Sequence, residues 1–102
     1  MSDVRTISGS STLRVGVVGI FIHHPDSVER VNHILKDFSH LFKGRLGVPR
    51  ICHTPPVNVI ALIFTGSTDE LGAFSGRMGQ IPGVEVKSLI SRNCVPGSTE
   101  ER

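Results

Sequence analysis

The stretch VNVIALIFTGSTDELGAFSGRMGQIPGVEVKSLI, Val57 to Ile90, reads as a strand, a helix and a second strand. VNVIALIFT (Val57 to Thr65) is β-branched and apolar, as a strand is. Ser67 with Glu70 three residues later has the spacing of a capping box, so a helix starts there. Leu71, Phe74 and Met78 recur at helical spacing and form its apolar face. Pro82-Gly83 stops the helix. VEVKSLI (Val84 to Ile90) then alternates, with Glu85 and Lys87 on one side. Gly72, Gly76 and Gly79 also recur at helical spacing beside the apolar face, with Ser75 at their border. Each glycine in a helix interior costs about 1 kcal/mol relative to alanine. A strip without side chains lets another backbone or a flat ligand come close. Two uses fit it. One is tight packing against the first helix, near Asn32 and Ser39, or against the entry to the last strand. The other is one wall of a ligand or subunit site.

Working upstream, LRVGVVGIFI (Leu13 to Ile22) is a strand and HHPDS a loop. Asp26 with Glu29 resembles a capping box with Asp in place of Ser or Thr. Val28, Val31, Leu35, Phe38 and Phe42 follow as a helical stripe. LGVPRICH (Leu46 to His53) is a weaker strand, and its Pro49 belongs on an edge. Thr54, Pro55 and Pro56 turn the chain. The order β-α-β-β-α-β predicts an α+β, ferredoxin-like sandwich. Right-handed crossovers put both helices on one face of a four-stranded antiparallel sheet, order 4-1-3-2.

The two central strands are apolar on both sides. Leu13, Val15, Val17 and Phe21 oppose Val18, Ile20 and Ile22; Val59, Ala61 and Ile63 oppose Ile60, Leu62 and Phe64. An antiparallel sheet with one wet face should alternate instead. Two helices cover only one face. The other is expected to pack on a partner, most simply a second copy, giving a homodimer or tetramer through the sheet face.

Composition narrows the function classes. The 102 residues suggest one domain. The polar ends, 1–12 and 91–102, read as flexible tails around a folded unit, 13–90. A unit that small is marginal alone, and it has no Trp or Tyr to enlarge its core. Eleven basic against nine acidic side chains give a net charge of +2, too balanced to imply nucleic acid. The densest basic stretch, KGRLGVPR, reads as a solvated loop and edge strand. Cys52 and Cys94 form no disulfide framework. No signal peptide and no membrane-length apolar run appear, so a cytoplasmic protein with no membrane partner is expected.

The segment DELGAFSGRMGQIPGVEVKSL, preceded by NVIALIF, resembles the iron-only hydrogenase system regulators. These are small ACT-like proteins related in fold to the ligand-binding domain of nickel-responsive repressors. The resemblance extends through VNHILKDFSHLFKGRLGVP, with Asn32, Leu35 and Phe38 at similar spacing, and covers about Leu13 to Leu89. SGRMGQIPGV is its most specific element. It implies an ACT-like fold, a dimer or higher oligomer and a role in transcription regulation without chemistry of its own. Two departures stand out. No ribbon-helix-helix segment precedes Leu13, so direct nucleic-acid binding is not expected. HHPDS also lacks the glycine that many amino-acid-binding ACT domains place after their first strand.

Asn32, Ser39, Gly72, Ser75, Gly76 and Gly79 are therefore the candidate ligand or subunit interface, for an unidentified small molecule or partner protein. The alternative is a transition-metal sensor or accessory protein using His23, His24, Cys52 and His53. Neighbours on a strand point to opposite sides, so such a site needs ligands from two subunits meeting at a seam. His33, Asp37 and His40 share a helical face expected in water. No catalytic residue emerges. Ser75 has no base-and-orienter partners in sequence, and SGRMG lacks the Gly-Lys-Ser/Thr of a phosphate-binding loop. GIFIHHPD lacks the arginine that acylphosphatases of similar fold require.

Overall fold

The computed structural model describes residues 12–96. The elements are β1 (Thr12–Ile22), α1 (Val28–Asp37), β2 (Phe42–His53), β3 (Pro56–Gly66), α2 (Thr68–Met78) and β4 (Val84–Pro96). Short 3-10 turns, Pro25–Ser27 and Ser39–Leu41, bracket α1. The four strands form one antiparallel sheet in the order β2-β3-β1-β4, the expected ferredoxin-like arrangement.

The core lies between the helices and one face of the sheet. Val18, Ile20 and Ile22 from β1 and Ile60, Leu62 and Phe64 from β3 are buried there. Val31, Ile34 and Leu35 from α1 and Leu71, Phe74 and Met78 from α2 close over them. Phe74 is the hub. Its ring meets Phe38 edge-on at 5.5 Å and Phe42 at 4.9 Å between centroids. Phe42 also tilts against Phe64 at 6.3 Å. Such aromatic pairs add about 0.5–1.5 kcal/mol each beyond the area they bury.

Four local expectations are revised. Asp26 and Glu29 form no capping box. Pro25 opens a 3-10 turn instead, and the buried Ser27 at the N-cap of α1 makes no side-chain cap bond. Its hydroxyl donates to the Pro82 carbonyl at 2.7 Å. Phe42 is not on α1. The backbone at Phe38 has already left helical values (φ −110°, ψ 18°), and Phe42 opens β2 opposite Phe64. The 3.6-residue stripe ran on because Phe42 fills the same core from a strand. β2 accordingly begins at Phe42 rather than Leu46. Lastly, β4 continues past Ile90 to Pro96. The start of β1 supplies its ladder partners, with Thr12 opposite Pro96 and Arg14 opposite Cys94, beyond a bulge at Arg14/Gly16. The expected tails otherwise fall outside the described residues.

Two glycines carry backbone requirements. Gly16 lies where a methyl group would come within 2.6 Å of the Leu89 carbonyl oxygen, so only glycine permits this approach of β1 to β4. Gly83 has φ +74° and sits against the His24 ring. The edge strand β2 bulges between Val48 and Cys52. Pro49 has no N–H to give to the ladder. Arg50 adopts φ 52°, and its N–H donates to the Asn58 side chain at 2.7 Å.

Candidate ligand and subunit surfaces

The candidate interface residues fall into two groups, on opposite flanks of the helical layer. Ser67 fixes the start of α2 by the expected capping box. The Glu70 N–H donates to the Ser67 hydroxyl at 3.1 Å, and the Ser67 N–H donates to the Glu70 carboxylate at 2.9 Å. That backbone bond holds the Glu70 carboxyl below its ordinary value. The Ser67 hydroxyl and the nearby His40 pull the same way, against opposition from burial.

With the start of α2 set, its flanks follow. Arg77 donates to Asp37 of α1 at 3.2 Å and lies over the Phe38 ring at 5.5 Å. Glu70 stands 3.7 Å from His40. Those residues face α1. At about 100° per residue, Gly72, Gly76 and Gly79 fall on the far flank. A methyl group at Gly72 or Gly76 would meet nothing within 4 Å. Packing of the strip against α1 is thus overturned, and these two glycines face open space. Gly79 ends the helix; a methyl group there would lie 3.2 Å from the Ser75 carbonyl oxygen.

Asn32 lies on the flank of α1 toward β2, and Ser39 opens the 3-10 turn that follows the helix. Arg45 donates to the Asn32 side-chain oxygen at 3.0 Å. Beside this bond Ser39, Lys43 and Arg45 rim a cleft of 290 Å³ floored by Leu35, Phe42 and Leu62. An apolar floor with two cations and a hydroxyl at its rim suits a small acid with an apolar body. The sequence singles out Asn32 and Ser39 but presents Lys43 and Arg45 only as a solvated stretch. The missing signal was the start of β2 at Phe42, which brings both cations beside α1.

The histidines with described side chains do not gather, and the side chain of His53 lies outside the described residues. His33 pairs with Asp37 at 3.8 Å. His40 lies past the end of α1 and turns to Glu70 instead, so His33, Asp37 and His40 do not share one helical face. His23 stands 3.6 Å from Glu85 on β4. His24 packs on Gly83. Cys52 is exposed on β2 opposite Val57, a full strand away from β1. Among the described residues no three His, Cys, Asp or Glu side chains are grouped to hold a metal ion.

The remaining surface is the uncovered face of the sheet. Val17 on β1, Ile63 on β3, Leu46 and Val48 on β2 and Leu89 on β4 are all exposed there. No helix among the described residues is long and apolar enough to cross a membrane.

Comparison with known proteins puts these features in a family. No curated protein matches the chain. Among solved structures it is similar to the uncharacterized protein TM1266 from Thermotoga maritima, with 30% identity and a TM-score of 0.69. That match covers 76% of this chain and 96% of the other. Residues 14–88 match the family described as "TM1266-like: Iron-only hydrogenase system regulator, putative". That span takes in both helices, the glycine strip, β2, β3, nearly all of β1 and the start of β4, and the chain belongs to the TM1266-like iron-only hydrogenase system regulator family.

Proposed function

We propose that the chain is a ligand-responsive regulatory module of an iron-only hydrogenase system, acting as an oligomer and carrying out no chemistry of its own. The family match over residues 14–88 carries this reading. Two features support it: a cleft rimmed by cations above an apolar floor, and a broad apolar sheet face suited to a protein contact. The ligand class that fits the cleft is a small carboxylic acid with an apolar body, its carboxylate held by Arg45 and Lys43. The module acts through a small molecule and protein contacts rather than through a duplex, consistent with a net charge of +2.

A thermal-shift panel of small carboxylic acids, amino acids, nucleotides and metal ions tests the ligand reading. A small acid should raise Tm in the native chain and lose its effect in Arg45→Ala. A flat response across the panel rejects ligand sensing. Specific duplex binding that persists at high salt rejects the absence of DNA contact.

A further inference from the structure

We propose that the open face of the sheet is the contact between two copies of this chain, stacked about a two-fold axis that crosses the strands rather than running along them. This deepens the oligomeric part of the reading above. It can fail while ligand sensing stands, because the cleft lies on the helical side.

The strand register sets out the face. One row runs Leu89, Val17, Ile63 across β4, β1 and β3. The next runs Lys87, Gly19, Ala61, Leu46 and ends on β2; the third runs Glu85, Phe21, Val59, Val48. In the single chain Leu89 is 77% exposed, Leu46 65%, Val17 46% and Ile63 44%. Four strands spaced about 4.8 Å apart, with about eight residues each on this stretch, give roughly 500 Å² in projection. Side chains standing on that footprint expose more than its projection. The face therefore approaches the ~800 Å² that each partner buries in a stable interface. The largest apolar patch on a typical monomer is about 300–600 Å².

Charge selects the axis. Lys87 and Glu85 stand on this face of β4, paired at 3.4 Å. An axis along the strands would lay β4 over the partner's β2. Both charges would then press on apolar side chains, losing water without gaining a partner. An axis across the strands lays β4 on β4, running the opposite way, and β2 on β2. With the axis midway between these two rows, Lys87 meets the partner's Glu85, and by symmetry the reverse pair forms as well. Leu46 likewise meets the partner's Val48. The axis thus gathers the ionic strands at one margin and the apolar edge strands at the other. Two twisted sheets stacked this way lie within about 30° of alignment.

Sedimentation at micromolar concentration tests the contact. The native chain should be a dimer or a multiple of one, and Leu89→Lys and Val17→Lys should dissociate it while circular dichroism stays native. Leu89 is exposed enough that its variant folds even if the Val17 variant does not. A second experiment tests the axis. Glu85→Lys and Lys87→Glu chains should each associate poorly, since each opposes like charges. Mixed together they should form heterodimers about tenfold tighter than either homodimer. The pair within one chain is broken in both variants, so it cannot produce that rescue. A monomeric native chain would overturn the proposal and leave the face to a foreign partner. A mixture no tighter than its components would overturn the axis.

Discussion

Neighbouring residues of one strand live in opposite surroundings here. Val18 is fully buried and Val17 is 46% exposed; Phe64 is fully buried and Ile63 is 44% exposed. Each pair belongs to the same central strand, and the members differ only in which side of the pleat they occupy. The helices cover one side, and nothing among the described residues covers the other. An apolar pattern thus states that burial is called for, while the count of helices determines how much of it one chain can supply.

Substitutions on the two faces should separate these roles. Phe74→Ala removes the ring on which Phe38 and Phe42 pack, and should cost about 3–5 kcal/mol in denaturant unfolding. Ile63→Ala, measured in a chain held monomeric by Leu89→Lys, should change stability by no more than about 0.5 kcal/mol. Comparable losses from the two substitutions would erase the distinction between the faces. Ser67→Ala sharpens the account of the covered side, because the cap sets where the helical cover begins. It should cost about 1 kcal/mol by thermal or denaturant unfolding.

Smaller still is the effect of filling the strip. Gly76 has open space around it, so Gly76→Ala should stabilise the monomer by up to about 1 kcal/mol. A loss of stability would show that something already occupies that flank. The smallest effect is the acid response of the cap. Glu70 titrates lower in the folded chain than its ordinary value of 4.5. The folded state therefore binds fewer protons in that window, and stability rises with pH there. The contribution is complete above the unfolded value and is lost as pH falls through the folded one. Glu70→Gln should flatten that part of a stability-against-pH curve, with the capping geometry retained.

Much of this was legible in the residues. The order of the elements pointed to the sheet order, with strands apolar on both sides at its centre and Pro49 marking an edge, and Ser67 with Glu70 marked the start of α2 correctly. The first helix was read too long because Phe42 obeys helical spacing while belonging to β2; a core position shared by two elements carries no mark of which one supplies it. Asp26 and Glu29 misled for a related reason. A capping pattern describes local geometry, and at Ser27 a bond to Pro82, 55 residues away, replaces it. The candidate surfaces were less legible. Asn32 and Ser39 were singled out without the cations beside them, and of the neighbours offered to the glycine strip α1 is excluded, because a helical wheel gives angles around α2 without saying where α1 lies.

That bond between Ser27 and Pro82 has a mechanical side. The N–H of His23 also donates to the Gly83 carbonyl oxygen at 2.8 Å, so the entry to α1 and the approach to β4 are clasped twice at one end of the sheet. The two crossovers share an anchorage there. Both bonds end on consecutive main-chain carbonyls, Pro82 and Gly83, so the segment that leads out of α2 and into the edge strand bearing Glu85, Lys87 and Leu89 is tied to the entry of α1 by hydrogen bonds as well as by packing.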